Sequence, residues 1–508
     1  MIKKYNKEQK ISAIFANIFF VLIVLFSIFL IVYALYKIFN HTEYVSLEFY
    51  FISIMSGAVI ATLFSFGIKR LSNNFKVYLS VFVLITGFVV LGFETYLELY
   101  IEEKLPTQRV AKDETSNWIS TFIKEQKKDI QFDTRTKLEV INDFKDSGID
   151  AFPNISPSGF IGFNYINGFT SKKGKIYPLG SIPNALTINA NQSGYYPISM
   201  SDEHGFMNPK GLYKKDKVDI ILTGGSIANS DGVNFDESIT AVLRQMNLNA
   251  INITSADNGS LIKLAALKEY AEPLKPKIII WAYSAHSLYH LSEEMKSPLL
   301  KRYLYEDNYS QKLISRQEEV KDVLLSYYNS EWINERTKKN IIPQENSIKT
   351  KKDSFTKNIT KYSIIKIAKL YNLRKRINLI PAYKHPPVPS LIFKDILKKS
   401  KQMVSDWGGK MYFVYLPDWS RYSIDEYVKH GLIYNIEHSY REFVISTANE
   451  LDIPVIDIHR EVFATHKDSL SLFPFRKPRY YTADGYRIMA KVIAKQLEKD
   501  GYVPIKSK

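Results

Sequence analysis

The sequence predicts an α/β fold, in which a parallel sheet carries helices on both sides, behind three N-terminal transmembrane helices. Three observations support this prediction. The first hundred residues hold three long apolar runs, strand and helix patterns alternate from Val218 onward, and the first of these strands ends in the small-residue turn Gly224-Gly225-Ser226. Functional groups of parallel α/β sheets collect beyond the carboxyl ends of the strands. Ser226 is therefore predicted to lie at the functional edge of the sheet.

The three apolar runs are each about as long as a membrane span. They cover residues 11–36, 47–68 and 77–99, and roughly 20 apolar residues cross a bilayer as a helix. A signal peptide is the alternative for the first run. That run is too long for the apolar part of a signal, no small-residue cleavage site follows it, and two further spans come after it. Transmembrane helices are therefore predicted for all three runs.

Basic residues flank the predicted spans unevenly. Four lysines precede the first span, and Lys69, Arg70 and Lys76 lie between the second and third spans. The first loop and the segment after the third span carry mainly glutamate. Because cytoplasmic loops are enriched in Lys and Arg, the N-terminus is predicted in the cytoplasm of a bacterial inner membrane. The chain after Lys104 is then extracytoplasmic.

The composition narrows the classes of function. The chain has no cysteine, so disulfide bonds and thiolate metal sites are excluded. Its formal net charge is +16, which often indicates nucleic-acid binding, but the predicted extracytoplasmic placement argues against that partner. Two interpretations of the charge remain, contact with anionic lipid or acidic polysaccharide and a lysine-rich surface that only keeps the domain solvated. No metal or phosphate-loop motif occurs, so no cofactor is expected.

Strand and helix patterns alternate through the predicted outer domain, after loops and short strands at 152–209. Strands are expected at 218–223, 250–253, 277–283, 411–416 and 453–458. Helices are expected at 238–246, 261–270, 391–404, 434–450 and 484–497. Five strands separated by helices predict the parallel sheet.

The predicted organisation has three parts. Residues 1–104 form the membrane anchor, 105–175 a linker and accessory segment, and 176–508 the sheet domain with a helical insert at about 291–381. Within the insert, residues 349–376 are rich in lysine with interleaved isoleucine. As a helix this stretch either lies on an anionic membrane surface or packs on the core with a solvated lysine face. The sequence leaves both interpretations open.

Short motifs occur in a fixed order along the predicted sheet domain. They are Ser201-Asp202-Glu203-His204-Gly205, Gly224-Gly225-Ser226, Asn258-Gly259-Ser260-Leu261 and Tyr480-Tyr481-Thr482-Ala483-Asp484-Gly485-Tyr486. In order and spacing this set resembles the SGNH/GDSL hydrolases, in particular a bacterial membrane-anchored branch, over most of residues 176–497. The resemblance implies a flavodoxin-like parallel sheet of the SGNH type and ester chemistry at a serine.

The resemblance also implies a role for each motif. In this family a serine attacks an ester carbonyl, a late histidine removes its proton, an aspartate orients the histidine, and amide donors hold the oxyanion. Serine needs a base because its protonated hydroxyl is a poor nucleophile, and the oxyanion donors supply a large electrostatic stabilisation. By position Ser226 matches the nucleophile, Gly259 matches a glycine amide donor and Asp468 matches the acidic partner. Gly225 stands where the family has aspartate.

Two further reactive positions depart from the family's pattern. Where the family has Gly-Asn-Asp, this chain has Ala285-His286-Ser287, so His286 replaces the asparagine donor and Ser287 is a further candidate binding residue. Where the family has its catalytic histidine, this chain has Tyr480. Tyrosine titrates near pH ~10 and is a poor base at neutral pH. The pattern favours a pseudoenzyme.

A relocated base is the alternative. His286 is expected at the end of the third strand of the sheet, where it could act as base or as oxyanion donor for Ser226. His459 and His466 follow the last strand and are further candidates. Such a pair would restore the activation that a serine nucleophile needs.

Three functions are compatible with these features. The favoured one is a degenerate, non-catalytic module that binds cell-envelope carbohydrate or assists an acyl-transfer or polysaccharide-export partner. The second is a working esterase or O-acyltransferase that uses Ser226 on extracytoplasmic glycans. The third is a membrane assembly component in which the spans matter most. The expected partners are the lipid bilayer and a cell-envelope polysaccharide or acyl-transfer protein, and nucleic acid is not expected.

Overall fold

The structure is a computed structural model. It describes residues 2–39, 47–104, 132–162, 165–214, 218–284, 287–334, 367, 370–376, 390–422, 432–476 and 480–502. The chain forms two compact units, one of Met1–Arg109 with Ser347–Pro387 and the other of Val110–Asn346 with Val388–Lys508. The predicted insert is thus divided between the two units. Most of the predicted linker lies outside the described residues, and the predicted domain boundaries stay predictions.

The first unit contains the three predicted apolar helices, α1 (Ile2–Phe39), α2 (Leu47–Arg70) and α3 (Asn73–Lys104). The segments long and apolar enough to cross a membrane are Lys10–Tyr36, Tyr50–Arg70 and Asn73–Leu97. Most of their large apolar side chains are exposed, and extended exposed apolar surface is typical of contact with a membrane. The prediction of three candidate membrane spans is confirmed.

A buried carboxylate joins α3 to the basic stretch within this unit. Glu94 is fully buried, and its oxygens accept the backbone N–H groups of Asn372 at 2.6 Å and Leu373 at 2.7 Å. These two residues lie in the short helix Tyr371–Arg376. Buried carboxylates need such partners, because an unpaired charge in an apolar setting is strongly destabilising. Most of the lysine-rich stretch at 349–376 lies outside the described residues.

The second unit is built around a five-stranded parallel sheet. The described strands are β1 (Ala151–Pro153), β2 (Phe169–Ser171), β3 (Gly174–Ile176), β4 (Leu186–Ile188), β5 (Ile198–Met200), β6 (Ile220–Thr223), β7 (Ala250–Asn252), β8 (Ile278–Tyr283), β9 (Lys410–Tyr415) and β10 (Val455–Asp457). The main sheet has the order β10-β9-β8-β6-β7 with every pair parallel. Strands β1, β4 and β5 form a small sheet and β2 and β3 a hairpin, in the region where short strands were predicted.

Helices precede, connect and follow the strands of the main sheet. The described α-helices of this unit are α4 (Lys137–Asp146), α5 (Gly159–Gly162), α6 (Ser226–Asn229), α7 (Ile239–Gln245), α8 (Ser260–Ala266), α9 (Ser287–Glu294), α10 (Pro298–Tyr305), α11 (Gln317–Tyr327), α12 (Ser390–Asp406), α13 (Leu432–Glu450) and α14 (Ala483–Lys499). Each of the five predicted strands and five predicted helices has its counterpart here. The prediction of an α/β fold with a parallel sheet is confirmed.

Apolar cores cover both faces of the sheet. Alternate residues of β6 point to opposite faces, so Ile221 packs in the core that contains α8 and α12. Its neighbours Ile220 and Leu222 pack in the other core, which contains α7 and α14. Because both faces are covered, the strands are apolar throughout. Polar side chains that serve a function are then expected where the strands end.

Candidate functional site

Ser226 lies directly after the buried strand β6, as the sequence predicts. It is the first residue of α6 and is only 9% exposed. Gly224 keeps the turn tight, because a Cβ atom there would lie 2.5 Å from the Cβ of Ala228 and 3.1 Å from the Cβ of Ala282. Since β6 pairs with β7 on one side and β8 on the other, Ser226 follows the carboxyl end of an inner strand of the sheet.

Gly225 brings a second loop close to Ser226. A Cβ atom at Gly225 would lie 3.2 Å from the carbonyl oxygen of Asn258 and 4.0 Å from Oγ of Ser284. Contacts of 3.0–3.4 Å are tighter than ordinary Cβ contacts, so a side chain here would press on the Asn258 backbone. The glycine at the family's aspartate position thus allows the turn and the Asn258 loop to pack closely.

Tyr480 lies beside Ser226. Burial raises the pKa of Tyr480 far above the ordinary value for tyrosine, nearby Asp257 and Asp231 raise it further, and a hydrogen-bonding interaction with the Ser226 side chain opposes the rise. Tyr480, which the motif resemblance matches to a catalytic histidine, therefore lies next to the serine. A phenol with so high a pKa stays protonated at neutral pH and is unsuited to removing a proton from the serine.

Three contacts fix the segment that carries Tyr480. The hydroxyl of Tyr486 donates to the carbonyl of Ile227 in α6 at 2.9 Å. The hydroxyl of Tyr481 donates to the carbonyl of Pro417, and Oγ1 of Thr482 accepts the N–H of Gly485 at 3.2 Å to cap α14. The start of α14 is thereby held against α6, and Tyr480 with it.

Asp231 is a buried carboxyl of this site to which the sequence assigned no role. It is 6% exposed, and its Oδ1 accepts the side-chain amides of Asn229 at 2.6 Å and Asn154 at 3.1 Å. Burial raises the pKa of Asp231 to about 6. The sequence gives one indication that Asp231 belongs to the site, its position five residues after Ser226. Closeness in sequence to Ser226 does not by itself identify a site residue.

Asp257 is a second carboxyl near Tyr480, and it has a histidine neighbour. Its backbone has a φ of 57°, in the left-handed region that non-glycine residues seldom adopt. The Nε2 atom of His290 lies 3.8 Å from Oδ1 of Asp257. Among the described residues, His290 thus lies close to a carboxyl of the site, whereas the predicted candidate His286 lies outside them.

The amide of Gly259 is already engaged. It donates to Oε1 of Glu294 at 2.5 Å, and Oε2 of the same carboxyl accepts the N–H groups of Leu261 at 2.9 Å and Ile262 at 3.2 Å. Glu294 is fully buried, and burial raises its pKa to about 8. The occupied amide argues against the predicted role of Gly259 as an oxyanion donor.

Ser287 is likewise bonded within the fold. Its Oγ accepts Nζ of Lys263 at 3.0 Å and the backbone N–H of Ser284 at 3.4 Å. Lys263 also donates to the carbonyl of Ala282 at 3.0 Å, and burial lowers its pKa to about 7. These bonds link the end of β8 to the start of α9, and a binding role for Ser287 stays a prediction.

The remaining predicted residues have partners elsewhere. Asp468 forms an exposed ion pair with Arg476 at 2.5 Å, and Nδ1 of His466 accepts the N–H of Asp468 at 3.1 Å. The Nδ1 atom of His459 is 2.8 Å from the hydroxyl of Tyr422. The pairing of Asp468 with Arg476 argues against its predicted role as the acidic partner at Ser226.

No metal centre is formed by the residues that the structure describes. Within them, no group of three or more His, Asp or Glu side chains is arranged to hold a metal ion. The polar side chains of the site are the Tyr480 phenol beside Ser226, the carboxyls of Asp257 and Asp231 that act on that phenol, and the Asn229 amide that bonds Asp231. Such groups can bind a polar ligand through hydrogen bonds.

Neither a protein-family model nor a curated protein sequence matches the chain. Solved structures similar to it include one described as a lipolytic protein of the G-D-S-L family from Desulfitobacterium hafniense DCB-2, at 12% identity and a TM-score of 0.30, covering 55% of this chain and 99% of that one. A lipase/acylhydrolase from Enterococcus faecalis has 12% identity, a TM-score of 0.30, and coverage of 57% and 100%. The salicylyl-acyltransferase SsfX3 from a tetracycline biosynthetic pathway has 14% identity, a TM-score of 0.29, and coverage of 57% of each chain.

Proposed function

We propose that this chain is a membrane-anchored, extracytoplasmic SGNH/GDSL-like protein that binds a cell-envelope carbohydrate, or assists its modification, without turning over esters at Ser226. The observation that carries this proposal is the phenol of Tyr480 in the place of a base. Serine is a poor nucleophile unless a nearby group accepts its proton. The raised pKa of Tyr480 keeps that group protonated at neutral pH.

Two further contacts support the loss of catalysis. The Gly259 amide is bonded to Glu294, and loss of one oxyanion donor alone lowers a rate by about 10²–10³. Asp468 is paired with Arg476 at the surface. Of the mechanism that the resemblance implies, the base is therefore replaced by a phenol. The carboxylate that would orient the base and one oxyanion donor are bonded to other residues.

A separate cavity in the same unit supports a binding function. It has a volume of about 500 Å³ and is lined by the rings of Tyr165, Phe169 and Tyr327 together with Glu319 and Asp322. The rings of Tyr165 and Phe169 are stacked with centroids 4.2 Å apart. Aromatic walls with a few polar groups are typical of small-ligand pockets, and an oligosaccharide offers both apolar ring faces and hydroxyls to such a pocket.

The membrane location rests on the N-terminal unit. Its three candidate spans indicate membrane association, and the distribution of Lys and Arg around them supports a cytoplasmic N-terminus. The sheet unit would then lie outside the bacterial inner membrane, where cell-envelope glycans are available. Carbohydrate is accordingly the ligand class that we propose.

The proposal is tested by hydrolysis of a p-nitrophenyl acetate series with detergent-purified full-length protein. The wild type and Ser226→Ala are expected to give the same rate, equal to the buffer background. A wild-type rate above that of Ser226→Ala would refute the proposal, because it would show turnover at this serine.

An active esterase or O-acyltransferase is the second candidate, and one observation favours it. His290 lies 3.8 Å from Asp257, whose charge acts on Tyr480, so an imidazole–carboxylate pair borders the site. In this alternative His290, rather than His286, is the relocated base. It predicts hydrolysis that is lost in both Ser226→Ala and His290→Gln.

A further inference from the structure

An unpaired amide lies beside the Ser226 turn. Asn258 is 1% exposed, and both its Oδ1 and its Nδ2 are buried without a hydrogen-bond partner. Buried side-chain amides are nearly always paired, and an unpaired one is destabilising, so each exception calls for an explanation. The unpaired amide of Asn258 would be explained if its hydrogen-bond partner were a bound ligand.

The position of Asn258 connects it to the predicted site. Its carbonyl oxygen and nitrogen would lie 3.2 Å and 3.8 Å from a Cβ atom on Gly225, the residue before Ser226. The preceding residue, Asp257, acts electrostatically on Tyr480. The backbone of Asn258 therefore lies next to the Ser226 turn, and Asn258 directly follows a residue whose charge acts on Tyr480.

The backbone on both sides of Asn258 is fixed. The carbonyl of Asp257 accepts Oγ of Ser158 at 2.5 Å, and the N–H of Gly259 donates to Glu294 at 2.5 Å. Binding groups held in place by surrounding hydrogen bonds lose little entropy when a ligand arrives. Glu294 thus occupies the amide of Gly259 and at the same time orients the loop that presents Asn258.

We propose that the Asn258 side-chain amide binds an acetamido group of the ligand at the Ser226 site, with Nδ2 donating to the ligand's carbonyl oxygen and Oδ1 accepting its N–H. This inference rests on the proposed carbohydrate-binding function and names the substrate class as N-acetylated saccharide. An acetamido group has one acceptor and one donor, so it satisfies both unpaired atoms. An O-acyl ester would satisfy only Nδ2.

The test measures binding of tri-N-acetylchitotriose and of cellotriose by calorimetry with full-length protein in detergent. The two trisaccharides are neutral, and the second has hydroxyls in place of the acetamido groups. The wild type is expected to bind the acetylated sugar at least about tenfold more tightly, and Asn258→Leu to lose that preference; a bond worth about 1.4 kcal/mol corresponds to tenfold. Asn258→Leu is also expected to melt no lower than the wild type, since it removes an unpaired polar group.

Thr240→Val is the matched control. Its hydroxyl is also buried without a partner, but it belongs to α7 and not to the Ser226 turn or the Asn258 loop, so its removal should leave sugar binding unchanged. Equal binding of the two sugars by the wild type, retention of the preference in Asn258→Leu, or a lower melting temperature of that variant would each overturn the inference. Ester turnover at Ser226 would refute the proposed function and leave these binding outcomes as they stand, so the two failures are distinguishable.

Discussion

At the scale of single residues, the site is defined by the pairing of Ser226 with Tyr480. A tyrosine in this place preserves packing and a hydrogen-bonding interaction with the serine, while its raised pKa removes the function of a base. Asp231 is buried five residues after Ser226, and the pKa of its carboxyl is raised to about 6. Tyr480 is thus held in its neutral form at neutral pH, whereas Asp231 changes from neutral to charged near pH 6.

Asp231→Asn is expected to stabilise the chain at neutral pH and less so in acid. The folded pKa of Asp231 lies near 6, above the value of about 4 in an unfolded chain. Its contribution to stability is therefore fully present below pH ~4 and lost as the pH rises through about 6. Asparagine keeps an acceptor for Asn229 and Asn154 without the buried charge, a gain of about 2–3 kcal/mol near neutral pH by linkage.

Melting temperatures of the wild type and Asp231→Asn at about pH 4.5 and about pH 7.5 check this expectation. The difference between the two proteins should be larger at the higher pH. The exposed residue Asp236, changed to asparagine, is the control and should show little difference at either pH. A difference for Asp231→Asn that does not change with pH would contradict the assignment of a buried, raised-pKa carboxyl.

At the scale of elements, the start of α8 is organised by a side chain from α9. The carboxyl of Glu294 accepts three backbone N–H groups at the start of α8, those of Gly259, Leu261 and Ile262. The first turn of any helix leaves such donors unpaired, and the carboxyl oxygens of Glu294 supply acceptors for them. This contact fixes the loop that carries Asn258 next to Ser226.

Gly259→Ala is expected to destabilise the sheet unit. A Cβ atom at Gly259 would lie 2.6 Å from Oε2 of Glu294 and 2.7 Å from the backbone nitrogen of Leu291, so α8 and α9 would have to move apart. Overpacking of this kind typically costs about 1–3 kcal/mol. Melting temperatures measure the effect against Gly159→Ala, where a Cβ would have no neighbour within 4 Å. Equal melting of the two variants would show that Gly259 is not tightly enclosed.

The sequence predicted the elements better than their contacts. Strands such as β6 and β8 were recognisable because they are apolar throughout, a pattern that depends only on local order. The placement of Tyr480 near Ser226 came from the order of the motifs. The bond between Gly259 and Glu294, 35 residues apart, depends on how α8 packs against α9, and no spacing signals it. The sequence therefore predicted that the Gly259 amide is available as an oxyanion donor, whereas in the fold it donates to Glu294.

At the scale of the whole molecule, the chain combines an apolar three-helix unit with an α/β unit of five parallel strands. The exposed apolar side chains of the helices require a membrane or an equivalent apolar partner. The absence of cysteine from the sequence allows the orientation to be measured with single introduced thiols. The unmodified chain is then its own unlabelled control.

Lys4→Cys and Glu498→Cys are expected to report opposite sides of the membrane. Glu498 is exposed near the end of α14, and Lys4 belongs to the basic cluster before the first span. In intact bacterial cells a membrane-impermeant maleimide should label Glu498→Cys, and Lys4→Cys only after permeabilisation. The reverse pattern would contradict the orientation expected from the positive charges.

We infer that Ser226 is inert because its neighbour is a phenol. The most direct test compares the Ser226-dependent rate of p-nitrophenyl acetate hydrolysis in the wild type and in Tyr480→His. Each rate is taken as the difference from the same protein carrying Ser226→Ala. No Ser226-dependent rate is expected for the wild type and a measurable one for Tyr480→His, since imidazole titrates near neutral pH. A wild-type rate equal to or above that of Tyr480→His would show that the phenol does not make Ser226 inert.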